Sequence, residues 1–280
     1  MSIETVDLQR RFGGVIRLYG EAGFAKLQSA HIVVIGIGGV GSWAVEALAR
    51  HAVGQITLID LDNIAESNVN RQLHAVEDTF GLAKVTAMAR RVLSINPLAK
   101  VNEIEDFITP ENIVTLLDVK GLPSPQMVID CVDDAKAKIA LATFCKRNKQ
   151  PMVMSGSAGG RLDPTHIQVA DLSAVSGDKL LAKVRNQLRR DHGFPKASQQ
   201  KKSAKFSIPC VYSDEPVVQP NEVCVLTLES SALAIGAQQS LEPQQGVTGL
   251  NCAGYGSSVC VTATFGFALA NLAIKAVLAT

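Results

Sequence analysis

A β-branched run, His31-Ile-Val-Val-Ile35, leads straight into Gly36-Ile-Gly-Gly-Val-Gly-Ser42, and this junction constrains the fold more than any other stretch of the chain. A short apolar run without polar alternation is the pattern of a strand buried on both faces. Trp43 to His51 then carries Val45, Leu48 and Ala49 at helical spacing, with Glu46 and Arg50 off that stripe, and Gln55 to Asp60 reads as a second strand. Strand, glycine turn, helix and strand make a βαβ unit, whose crossover leaves the two strands as parallel neighbours. Gly36, Gly38 and Gly41 satisfy G-x-G-x-x-G, with Gly39 in the same turn. Glycines there let backbone N–H groups approach a phosphate, and the helix N-terminus favours an anion by ~0.3–1 kcal/mol when exposed. Asp60, at the end of the second strand, is placed to accept hydrogen bonds from ribose hydroxyls. To this point an NAD-dependent dehydrogenase and an ATP-using enzyme are described equally well.

The alternation continues. Lys84–Ile95, Pro110–Leu117 and Ala135–Lys146 read as helices; Val101–Ile104, Met127–Cys131 and Met152–Ser155 read as strands. This predicts an α/β fold with a doubly wound, mainly parallel, Rossmann-like sheet. Residues 1–28 read as a basic helix–turn–helix lead, 29–150 as the nucleotide half, and 151–280 as a substrate-facing half grafted onto it. That second half has short strands such as Thr165–Ala170, a basic helix beginning near Asp178 and stopping at Gly193, and a polar stretch at about 196–220 read as a mobile loop. Ser257 to Ile274 has no charge and reads as a buried strand turning into a buried terminal helix; membrane association through about 257–279 is the minor alternative.

With 280 residues, 47% of them hydrophobic, the chain can build its core without disulfides or a structural metal. Its six cysteines include no Cys-x-x-Cys pair and no secretory leader is read, which predicts reduced thiols in a cytoplasm and no zinc site. A net charge of only +1 argues, taken alone, against a nucleic-acid partner. The sum conceals a segregation. Lys179, Lys183, Arg185, Arg189, Arg190, Lys196, Lys201, Lys202 and Lys205 face a single acid, Asp191, within their own span, so 179–205 carries +8 and the remainder −7. Leu180, Leu181, Val184 and Leu188 form the apolar stripe of that helix, which turns the cations mostly outward, either as a solvated face or as a contact for an RNA backbone.

The residues beyond Asp60 separate the nucleotide readings. Asp60-Leu-Asp62, Ser67-Asn68-Val-Asn70-Arg71-Gln72, Gly81-Leu-Ala-Lys84 and Asp130-Cys-Val-Asp133 come after the glycine turn in order. In these motifs the chain resembles the adenylating family that includes the ubiquitin-activating enzymes and the bacterial ThiF, MoeB and HesA proteins. Arg11-Phe-Gly-Gly14 with Arg17-Leu-Tyr-Gly20, Gly159-Gly-x-x-Asp163-Pro-Thr-x-Ile167-Gln-Val169 and Val261-Thr-Ala-Thr-Phe-Gly266 are similar to the TcdA or CsdL branch, the tRNA threonylcarbamoyladenosine dehydratases. The resemblance implies the ubiquitin-activating-enzyme fold, ATP and Mg2+ as requirements, a homodimer, and a tRNA bearing threonylcarbamoyladenosine as substrate. It leaves a monovalent-cation site and a sulfur-relay or desulfurase partner open. The alternatives are an adenylating enzyme for another carboxylate, such as the C-terminus of a small sulfur-carrier or ubiquitin-like protein, and a Rossmann nucleotide-binding protein that does not adenylate.

The residue types suit adenylation. A carboxylate attacking the α-phosphate of ATP needs cations to offset two approaching anions and the departing pyrophosphate, and Arg71 and Lys84 supply them. Asp133 matches the family's metal-holding carboxylate. Asp60 is the ribose acceptor, with Asp62, Asn68 and Gln72 completing the ATP loop. Aligning the lead with the ThiF and MoeB branches puts Gly14 where their phosphate-reaching arginine stands; Arg11 or Arg17 takes that role. Asp62, Asp133 and Asp134 also read as helix caps or surface acids, Cys131 and Cys210 as core residues, and His74, His166 and His192 as structural or surface residues.

Overall fold

The computed structural model describes residues 6–117, 124–196, 204–218 and 255–280. Seven strands form one sheet: β1 (His31–Ile35), β2 (Gln55–Ile59), β3 (Lys100–Ile104), β4 (Met127–Asp130), β5 (Met152–Ser155), β6 (Ile167–Asp171) and β7 (Pro209–Ser213). Their order is β3-β2-β1-β4-β5-β7-β6, parallel throughout except for the edge pair β6–β7. The chain winds outward from β1 through β2 to β3, then returns to place β4 on the other flank of β1. That reversal opens a crevice outside the carboxyl ends of β1 and β4, where nucleotides bind in sheets of this kind.

Alternate strand residues serve two cores. Ile32, Val34, Ile56, Leu58, Ile129 and Val211 point to a layer containing α1 (Leu8–Ser29), α2 (Gly41–Arg50), α3 (Lys84–Ile95) and α7 (Val259–Ala279). Val33, Ile35, Ile59, Val128, Met154 and Cys210 point to the opposite layer, with α4 (Ile113–Leu117), α5 (Ala135–Arg147) and α6 (Lys179–Asp191). Both layers belong to one sheet, so the described residues before and after residue 150 share a continuous scaffold.

Two sequence expectations change. The lead keeps the helix–turn–helix form read from the sequence: its two helical parts meet at Gly20, whose φ is 72°. Residues 257–274 contain no strand: Ser258 caps α7 directly, and Val261, Phe265, Leu269 and Val277 bury its apolar stripe. A helix long and apolar enough to cross a membrane is here packed on the sheet and on α2. The stretch read as a mobile loop contains β7, with Cys210 and Val211 fully buried. Five residues that open on a proline are too few to show a period. Lys201 and Lys202 lie outside the described residues.

Candidate active site

The glycine turn closes tightly onto the end of β4. Gly36 has a φ of +83°, and a Cβ there would stand 2.9 Å from the Cys131 backbone; a Cβ on Gly41 would lie 1.8 Å from the Gly36 carbonyl oxygen. No other residue fits at either position. Gly38 and Gly39 face the crevice side of the turn, near Gln72 and Arg71. Val40, the N-cap of α2, offers no side-chain acceptor, and the Ser42 N–H donates to the Gly38 carbonyl at 3.1 Å, which leaves the other N–H groups of the first turn of α2 to meet an anion.

The peptide of Ile37 is gripped from both sides. Its N–H donates to Asp60 Oδ2 at 2.6 Å, and its carbonyl accepts from His74 Nε2 at 2.8 Å. His74 is therefore the Nε2–H tautomer, and burial lowers its pKa to about 4. Burial likewise raises the pKa of Asp60, against the pull of Lys84 and the N–H groups of Asp62 and Ile37. Lys84, the first residue of α3, is buried between carboxylates: its Nζ lies 2.6 Å from Asp62 Oδ2 and 3.8 Å from Asp60 Oδ1. Asp62 remains 55% exposed.

The loop after β2 carries the other predicted ATP residues. Asn68 Oδ1 accepts from the Ala65 N–H at 3.1 Å, and so holds the short 3-10 turn Glu66–Asn68. Arg71 donates to the Ser67 carbonyl at 2.8 Å and to Asn70 Oδ1 at 2.9 Å, both neutral acceptors. Its own carbonyl accepts from Trp43 Nε1 of α2 at 3.1 Å. Gln72 Oε1 is buried without a partner. Beside this loop lies a cleft of about 410 Å³, lined by Ser67, Asn70, Arg71, Tyr255 and Ser257 among others.

At the end of β4, Asp130 Oδ1 accepts from Lys138 Nζ at 3.1 Å and from the Val132 N–H at 3.1 Å. Both side chains are wholly buried. Asp134 Oδ2 accepts from the Ala137 N–H at 2.8 Å and caps α5. The turn between them carries Asp133, half-buried, just after Cys131 and Val132, whose backbone meets Gly36. Asp134 is therefore the helix cap and Asp133 is not. Cys131 and Cys210 carry thiols that burial pushes well above the ordinary range, so neither is a thiolate.

Arg11 and Arg17 are not in the crevice of their own chain. Arg11 Nη1 donates to the Ile95 carbonyl at 2.8 Å, at the far end of α3, while Arg17 is exposed and lies over Gly13 of its own helix. In the basic segment, Arg189 donates to the carbonyls of Pro195 and Ser173 and Arg185 to that of Val175, so these two are occupied with backbone. Lys179, Lys183 and Lys196 are exposed.

The sequence pattern of the ThiF family matches residues 12–280. The chain belongs to the ThiF family. It is similar to the tRNA threonylcarbamoyladenosine dehydratase of Escherichia coli, with 43% identity over 282 residues, 100% of this chain and 98% of that protein. The enzyme of the same name from Haemophilus influenzae is 45% identical over 93% of this chain and 90% of its own length. The crystal structure of the Escherichia coli dehydratase TcdA in complex with ATP superposes with a TM-score of 0.79 at 41% identity, covering 97% of this chain and 95% of that one.

As a ThiF-family chain, this protein brings Asp60, Lys84, Arg71 and Gln72 together beside the glycine turn, with Asp133 in the turn that follows β4. Among the described residues no group of three or more His, Cys, Asp or Glu side chains could enclose a metal. One carboxylate, Asp133, suits Mg2+, which takes one or two carboxylates and keeps water and phosphate oxygens as its other ligands. The sequence reading missed the Asp130–Lys138 pair and the grip of His74 on the glycine turn. The signal for the first was present: Lys138 falls on the same helical stripe as Leu141, Ala142 and Cys145, a buried face where a lysine needs an acid.

Proposed function

We propose that this chain is a tRNA threonylcarbamoyladenosine dehydratase, which uses ATP to close the threonylcarbamoyl side chain of the modified adenosine into a ring. The observation that carries this reading is the reach of the likeness, which runs through the substrate-facing half as well as the nucleotide half that other adenylating enzymes share.

The substrate carboxylate attacks the α-phosphorus of ATP, pyrophosphate departs, and an acyl-adenylate forms. A neighbouring nitrogen or oxygen of the same side chain then attacks the acyl carbon. It loses its proton, and AMP leaves with one former carboxylate oxygen, so the nucleoside loses one water. Ring closure within one bound molecule gains ~7–11 kcal/mol of barrier from positioning alone. No protein thiol is needed.

Each residue has a part in that sequence. The N-terminal amides of α2 receive phosphate oxygens. Asp60 serves the ribose, while Asn68 and Gln72 shape the loop over the crevice. Lys84 exchanges the exposed Asp62 for phosphate, and Arg71 exchanges its neutral acceptors for the same anion; charge-assisted bonds of that kind are about twice as strong as neutral ones. Asp133 holds Mg2+, which when bound neutralises charge on the leaving pyrophosphate. Arg17 supplies the further phosphate-contacting arginine from the second subunit of a homodimer, since Arg11 is spent on α3. Exposed Leu18 on α1 and Phe267 on α7 support such a pairing. The exposed cations of α6 meet the tRNA backbone.

Mass spectrometry of modified tRNA before and after incubation with enzyme, ATP and Mg2+ tests the reading. Loss of one water from the modified adenosine, with release of pyrophosphate, is expected. ATP–pyrophosphate exchange without a change in the nucleoside, or binding of NAD without ATP, overturns it.

A further inference from the structure

The cations of α6 have neighbours that the charge count along the sequence does not reveal. No acidic residue occurs between Ala135 and Leu162, and the end of α5 carries Lys146, Arg147 and Lys149, all exposed. The ends of α5 and α6 are locked together. Lys146 Nζ donates to the Gly193 carbonyl at 3.0 Å and lies 3.8 Å above the Phe194 ring. Phe194 stacks on Phe206 with centroids 4.8 Å apart, and Arg189 covers the other ring at 5.4 Å. This stack joins Arg147 and Lys149 to Lys196 on one corner of the molecule.

That corner has a defined direction from the active site. The start of α6 is tied to the carboxyl end of β5, since Asp178 Oδ2 accepts from the Ser157 N–H at 2.8 Å. The end of α5 leads into the opposite end of β5. Lys179 and Lys183 therefore begin at the edge that holds the nucleotide crevice, and Arg147, Lys149 and Lys196 lie at the far edge, about 20 Å away along the 13 residues of α6. Asp178 is buried as the cap of α6, and Asp191 is engaged with Arg190, so neither cancels the strip.

The helix dipole favours cations at the C-terminal end, which accounts for Lys146 and Arg147 in part. They do not account for Lys149. It sits just past α5 with a φ of 53°, while the Gln150 N–H closes back on the Cys145 carbonyl at 2.8 Å. Glycine is the residue that takes this left-handed position without strain, yet the chain keeps a lysine there.

We infer that Arg147 at the end of α5 and Lys149 just past it, with Lys196, form the distal end of a phosphate-binding strip that begins at Lys179 and Lys183, and that this strip holds the helical stem next to the loop bearing the modified adenosine. The inference rests on the dehydratase reading. An A-form stem is recognised through its phosphates and shape, which an ordered row of cations matches and a single patch at the crevice does not.

The test compares wild type with the double variant Arg147→Gln/Lys149→Gln on two substrates: modified tRNA, and a short single-stranded oligonucleotide that carries the modified adenosine but cannot form the stem. For tRNA the variant is expected to raise KM at least tenfold and to flatten the dependence of log affinity on log salt by about 2, near one for each lost phosphate contact. For the oligonucleotide it is expected to match wild type. A control variant, Arg90→Gln/Lys100→Gln, removes the same charge from exposed positions elsewhere and should leave tRNA KM unchanged. Unchanged tRNA KM and salt slope in the double variant, equal losses on both substrates, or an equal loss in the control overturns the inference. Failure of the dehydratase reading looks different: wild type itself would yield no dehydrated nucleoside.

Discussion

Two lysine–aspartate pairs stand on either side of β1 and use the same chemistry to opposite ends. At the end of β2, Lys84 reaches Asp62 at 2.6 Å, but that aspartate is half in water. At the end of β4, Lys138 reaches Asp130 at 3.1 Å, and neither side chain touches solvent. The first pair can be parted cheaply, because water takes the aspartate back when a phosphate takes the lysine. The second cannot, because a buried charge that loses its partner has nothing to replace it. Under the proposed function the first pair stands in for a phosphate contact; the second fixes the turn that carries Asp133.

The largest expected effect belongs to the buried pair. Lys138→Met should cost about 3–5 kcal/mol of stability, the usual penalty for stranding one buried charge. Chemical denaturation measures it, and the double variant Asp130→Asn/Lys138→Met should recover most of the loss. At the exposed pair the damage should be catalytic instead. Lys84→Met should slow pyrophosphate release by about 10²–10³-fold, the effect of removing one preorganised donor, and should cost less stability than Lys138→Met, because Asp62 is solvated and Asp60 keeps the N–H groups of Ile37 and Asp62. Equal stability losses in the two lysine variants would erase the distinction between the pairs.

Acid should separate the same two regions. His74 has a folded pKa of about 4 against 6.5 for the ordinary side chain, so the unfolded chain binds the proton first. Its contribution is lost as pH falls from 6.5 toward 4, by on the order of 3 kcal/mol at the acid end. A His74→Gln variant, whose amide can still donate to Ile37, should show a flatter loss in denaturation curves over that window. Wild type and variant with the same slope would mean that His74 does not govern it. The smallest effect is expected at Asp62→Asn, below about 1 kcal/mol in stability because the carboxylate is largely solvated. A modest fall in the KM for ATP should accompany it, as Lys84 no longer has to be drawn from a charged partner.

The sequence made the parallel strands legible because burial on both faces leaves an uninterrupted apolar run, as in His31–Ile35. It made part of the crevice legible because Asp60 and Asp133 follow the ends of β2 and β4, while Arg71 and Lys84 belong to ordered motifs in the long connection from β2 to the start of α3. β7 stayed hidden because its five residues acquire their burial only from β5 and β6 on either side. The Asp130–Lys138 pair was legible only in half: the stripe of Leu141, Ala142 and Cys145 marks Lys138 as buried, but the acid it meets is fixed by the placement of α5 on β4. Arg185 and Arg189 were read as outward cations because helical spacing gives the face of a residue but not the carbonyl its long side chain can reach.

The packing of α7 also sets an order of events for a chain emerging from the ribosome. Gly266 lies so close to α2 that a Cβ on it would stand 2.5 Å from the Val40 carbonyl oxygen, and Phe265 and Leu269 complete the core beneath the glycine turn. β1 and α2 are synthesised more than two hundred residues before the helix that covers them. Any nascent chain that ends before Val259 therefore carries the ATP-binding motifs in full but leaves Ala44 and Leu48 of α2 uncovered, an exposed apolar surface for a chaperone to shield until synthesis is complete.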